Sequence, residues 1–120
     1  MARPVLSLRL KADASPANDP QGADPQAILS SAIARSHCVR GRYNSGEVVL
    51  QPCLLYREHD ALFLLAVTAL RDGKPPREAK LSTFRVSGLT DLRAIHDSFV
   101  PGELHRGWIA KPTWDMITGL

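Results

Sequence analysis

Residues 27–97 alternate between short apolar runs and clusters of turn formers, and that rhythm constrains the chain more than any single motif does. One run has helical spacing. About five others have the length and composition of strands, so the pattern predicts an α+β domain that is mostly β, with one helix at its N-terminal side. At 120 residues the chain can build one core but not two.

Asp24 followed by Pro25 is a strong helix start, because the carboxylate can accept from the first free N–H groups and proline suits the first helical position. The helix is predicted over 25–35, with Ile28, Leu29, Ala32 and Ile33 as its apolar stripe. Strands are predicted over 37–43 and 47–57, joined by Asn44-Ser45-Gly46, since such residues supply the positive φ values of a tight hairpin. Pro52 donates no hydrogen bond, so the second strand should bend or meet an edge near it. After the turn Glu58-His59-Asp60, residues 61–70 are apolar on both faces, as in a strand covered from two sides. Asp72-Gly73 and Pro75-Pro76 mark a polar loop before a strand at 79–86. Ser87-Gly88 then leads into 89–96, read as a strand or a short helical turn with Leu92 and Ile95 facing the core.

The two ends differ from this body, giving a division into 1–23, 24–97 and 98–120. Residues 4–10 alternate like an edge strand, and 11–23 read as a flexible linker broken by Pro16 and Pro20. The C-terminal stretch is interrupted by Pro101-Gly102, Gly107 and Pro112, yet carries Phe99, Trp108 and Trp114. Side chains of that size are seldom left in water, so this stretch either packs back over the sheet or docks onto a partner.

The net charge is +3, and an equal excess sits between Arg35 and Arg42, where three arginines and His37 occur without an acid. This permits an anionic partner without approaching a histone-like composition. The opening residues lack the apolar run of a signal peptide, and residues 61–70 are about half the ~20 needed to span a bilayer. The expectation is a cytoplasmic protein with no membrane partner.

Several spaced landmarks carry a family likeness: Ala32-Ile33, Val39 to Tyr43 (Val-x-Gly-x-Tyr), Val48 to Pro52, Leu62 to Ala66, and Phe84 to Leu89. In this order they resemble the WYL domain, a regulatory module of bacterial transcription regulators and CRISPR-associated accessory proteins. The likeness covers residues 27–97. It implies a small SH3-like or Sm-like barrel capped by the helix, and a role in reading a ligand and signalling to a partner. Tyr43 and Arg85 match the family pattern; Leu62-Phe63-Leu64 stands where it has Trp-Tyr-Leu, and Val48 and Gly88 stand where it has arginines.

Four residues are candidates for ligand contact. Arg40 and Arg42 project from one face of a strand and could hold a phosphate with paired guanidinium forks. Arg85 follows Phe84 among small and apolar neighbours, and Tyr43 could stack on a planar group. For each the bland alternative is a solvated or rim-packing side chain, with Arg85 paired to Glu47 or Glu78. If Ser45-Gly46 are the central hairpin residues, Cys38 faces Cys53 across the strands; the cytosol would keep both as thiols. His37, His59, His96 and His105 show no metal-ligand spacing, and neither a nucleophile elbow nor a phosphate-cradling loop is present. The expectation is a non-enzymatic domain without a cofactor that binds a small anion, nucleotide or short nucleic acid. The alternative is an interaction module that forms a homodimer or joins a regulatory protein through sheet edges and the C-terminal stretch.

Overall fold

A computed structural model describes residues 24–120. The strand expected at 4–10 and the linker at 11–23 lie outside the described residues. Helix α1, Pro25–Arg35, begins as anticipated: the Asp24 carboxylate accepts from the Gln26 N–H at 3.3 Å, with Pro25 in the first turn. It ends at Ser36, whose φ of 55° turns the chain left-handed while its N–H caps the carbonyls of Ala32 and Ile33. Leu29, Ala32 and Ile33 are buried, and Ile28 packs beside them.

Strands β1 (His37–Tyr43) and β2 (Gly46–Glu58) form the expected hairpin, one residue earlier than a Ser45-Gly46 centre would give. Asn44 and Ser45 are the central pair, with φ of 52° and 64°, the requirement of a type I′ turn. Gly46 instead opens β2 opposite Tyr43, where an added Cβ would come within 3.3 Å of the Arg71 guanidinium. The resulting register, Val39 opposite Leu50, carries Cys38 toward Gln51 and away from Cys53. The two thiols are therefore not cross-strand partners.

Strand β3, Ala61–Arg71, returns through His59 and Asp60, both left-handed, and β4 is Leu81–Arg85. A 3₁₀ turn, Val86–Gly88, leads into β5, Thr90–Ser98, and β6 is Asp115–Gly119. Among the described residues all pairings are antiparallel, in the order β4-β3-β2-β1-β5, with β6 added to β2. The sequence placed no strand at 115–119. No ladder among the described residues joins β4 to β5, so the closure expected of a barrel is not seen in the pairing.

The thirteen-residue β2 organises the sheet. One edge pairs with β3 along most of its length; the other is shared, residues 46–50 going to β1 and 54–57 to β6. The changeover falls at Pro52, which has no N–H to give, and the ladder shifts register between Pro52 and Leu54.

Alternation then sorts the side chains onto two faces. Val39, Val48, Leu50, Leu55, Leu64, Ala66 and Phe84 meet the stripe of α1 in the main core. The opposite face carries two smaller clusters, Cys38 with Val49 and Phe99, and Leu54 with Tyr56 and Leu65 beneath Trp108 and Trp114. The C-terminal stretch thus packs back on its own sheet.

Leu50 is fully buried, so Leu50→Ala should cost about 2–5 kcal/mol in urea unfolding. At Gly41 a Cβ would lie 3.1 Å from the Thr90 carbonyl and 3.2 Å from Leu92 Cδ1. Gly41→Ala should cost about 1–3 kcal/mol by overpacking, read from the same unfolding curves.

Candidate functional site

On β1, Val39 and Tyr43 turn toward the core while Arg40 and Arg42 point the other way, a direct result of strand alternation. Arg40 lies opposite Arg93 of β5, and Arg42 opposite Thr90, with a bulge between the two pairs at Asp91, whose φ is 52°. Gly41 is what lets the bulged strand come so close. The result is an open cleft of about 230 Å³ lined by Arg40, Gly41, Arg42 and Glu47 from the hairpin and Asp91 and Arg93 from β5.

Three guanidinium groups and two carboxylates therefore share one small surface. Arg40 Nε approaches Glu47 Oε2 at 3.9 Å with both side chains half exposed, a contact that contributes little in water. Like charges directly opposed across strands are unfavourable. The Arg40–Arg93 pair is thus a small electrostatic cost that an incoming anion would relieve.

The other two candidates lie elsewhere. Tyr43 meets Phe84 edge-on, ring centroids 5.1 Å apart at 77°, and a Cβ on Gly88 would touch its ring at 3.1 Å. It is a packing residue at the rim of the main core. Arg85 ends a row of rings: Trp114 stacks on Tyr56 at 3.9 Å, Tyr56 on Phe63 at 5.5 Å, and the Arg85 guanidinium lies 5.8 Å from the centre of Phe63. It borders a different cleft, of about 430 Å³, with Asp24, Asp60 and Leu62. This row crosses β2 at Tyr56, near the end of the strand, whereas Arg42 faces Glu47 at its start. Arg40 and Arg42 come together, Arg85 and Tyr43 do not join them, and Arg93 takes the third place. Arg93 could have been found only by knowing that β5 returns to the edge of β1.

Both cysteines are buried free thiols. Burial pushes Cys53 up to about 11, and its Sγ donates to the Gln51 carbonyl at 3.3 Å. Cys38 is raised by burial and, secondarily, by the charge of Asp97. No group of three or more His, Cys, Asp or Glu is arranged to hold a metal among the described residues, and no described helix is long and apolar enough to cross a membrane.

Compared with known proteins, the chain matches no protein-family model, no curated protein and no solved structure. The likeness to the WYL domain rests on the spaced landmarks alone.

At pH 8 a thiol with a pKa near 11 holds about a hundredfold less thiolate than one at the ordinary value of 9.0. Iodoacetamide should therefore label Cys53 in the folded chain at least that much more slowly than in urea, as followed by peptide mass spectrometry.

Proposed function

We propose that this protein is a small regulatory binding domain that takes an anionic ligand, a nucleotide or a short nucleic acid, on the face formed by β1 and β5. The observation that carries this reading is the opposition of Arg40 and Arg93, with Arg42 at the next position on the same face. Guanidinium forks match phosphate oxygens bidentately, and a bound phosphate turns a repulsive pair into two charge-assisted contacts. Glu47 and Asp91, at the edge of the cleft, suit a ligand that also offers hydroxyl or amino donors, as a nucleotide does. Binding shifts from the residues first expected toward Arg40, Arg42 and Arg93.

The element order supports a barrel of the SH3-like or Sm-like kind, since β5 follows a 3₁₀ turn and pairs back onto β1. Such a shape, with α1 over its core, is what the likeness to WYL domains implies, and it accords with signalling to a partner rather than catalysis. A second reading, assembly through strand edges with another copy or a regulatory protein, is favoured by the outer edges of β4 and β5, which pair with no other strand among the described residues. Val100 and Ile109, exposed to 90% and 84%, favour it too.

Titration with ATP and with an oligothymidylate, monitored by calorimetry and fluorescence anisotropy, tests the main reading. Binding should weaken steeply with added salt, and Arg40→Ala with Arg93→Ala should abolish it and flatten the salt slope, while Arg85→Ala leaves it intact. Equal loss with Arg85→Ala, or no binding of either probe, would overturn it. Arg93→Ala alone should also raise folding stability by about 0.2–1 kcal/mol at low salt, because it removes the like-charge opposition.

A further inference from the structure

Between β5 and β6 the chain forms a turn over residues 101–107, and one histidine fastens it to the sheet. The Gly102 N–H donates to His105 Nδ1 at 3.0 Å, and His105 Nε2 lies 2.7 Å from Gln51 Oε1 on β2. The imidazole stacks on Phe99, centroids 5.1 Å apart at 25°, and Phe99 packs on Cys38 and Val49. These contacts define the protonation state. An N–H arriving at Nδ1 needs a lone pair there, so the proton must sit on Nε2, where it is donated to the glutamine oxygen.

We propose that neutral His105 is a latch that holds the 101–107 turn on the sheet, and that protonation of its ring opens the turn and bares the Phe99–Cys38–Val49 cluster. A proton added at Nδ1 sets two donors against each other at 3.0 Å, and no carboxylate takes part in either contact. The groups around the ring reinforce this. Gln51 from β2 is uncharged, Phe99 is apolar, and Cys38 of β1 is a protonated thiol below that ring. The charged neighbour is Arg106, whose guanidinium donates to the Pro101 carbonyl at 2.9 Å; Asp97 of β5 acts on Cys38. Burial, and then the charge of Arg106, lower the pKa of His105.

The sign follows from that depression. The latch is at full strength above the ordinary imidazole value of about 6.5 and is lost as pH falls through the lower value of the closed form. The opening constant rises about tenfold for each pH unit separating the closed and open values.

The test is amide hydrogen exchange of the full chain between pH 7.5 and pH 5, corrected for intrinsic rates, alongside NMR titration of the His105 ring. Protection at Gly102 should be lost in step with His105 protonation, while the β2–β3 amides stay protected. His105→Gln, which offers a donor and an acceptor without titrating, should keep Gly102 protection independent of pH. His105→Phe, which can stack but not hydrogen-bond, should leave the turn open throughout. Unchanged Gly102 protection through the His105 titration would overturn the proposal. So would a His105→Gln chain that loosens on acidification as the wild type does.

Discussion

The register shift in β2 at Pro52 is the constraint on which the rest of the molecule depends. A single strand pairs with β3 on one edge and divides the other between β1 and β6, and the handover falls at Pro52, which has no hydrogen to donate. The division creates two regions on the face away from α1. One half carries Val49 next to Cys38 and Phe99; the other carries Leu54 and Tyr56 under the tryptophans. A straight strand of the same length would leave residues 54–57 with an unpaired edge, the kind of edge that recruits other chains. Here the C-terminal stretch fills it, with the Leu120 N–H reaching the Cys53 carbonyl at 3.0 Å.

How closely that stretch fits is seen at Gly119, where a Cβ would stand 2.9 Å from Leu54 Cδ1 and 3.3 Å from the Trp108 ring. Ring stacking at Trp114 and Tyr56 adds about 0.5–1.5 kcal/mol beyond simple burial. The Thr113 hydroxyl bonds Glu58 at 2.5 Å and the Thr118 hydroxyl bonds Ser30 of α1 at 2.9 Å. These contacts tie the last strand to both β2 and the helix, so residues 98–120 are part of the sheet's architecture more than an appendage to it.

Much of this was legible in the sequence, for local reasons. Asp24-Pro25 announces a helix start by chemistry that needs no tertiary context, and Leu92 does pack on the main core, whereas Ile95 packs instead on the separate cluster of Cys38, Val49 and Phe99. The hairpin was legible in place but not in register, because Asn44-Ser45-Gly46 offers two possible centres and glycine is the more obvious one. In the fold Gly46 lies close against Arg71 and Asp72, from a distant strand end that the local sequence does not reveal. Strand β6 was invisible because its five residues follow Pro112 and end in glycine, and its partner lies some sixty positions earlier. The site was half legible for the same reason: Arg40 and Arg42 share a strand, whereas Arg93 joins them through a non-local pairing.

The bulge at Asp91 carries a consequence in counting. From Arg42 to Arg40 is two steps along β1, but from Thr90 to Arg93 is three along β5, so one residue is spent without advancing the ladder. Were Asp91 to straighten and take an ordinary place on the ladder, every side chain beyond would change sides, sending Leu92 to the outer face and the Arg93 cation toward the apolar interior. The polarity of this whole edge therefore depends on one aspartate staying in a left-handed kink, off the ladder, where it takes up a surplus step that would otherwise become a frame error written in three dimensions.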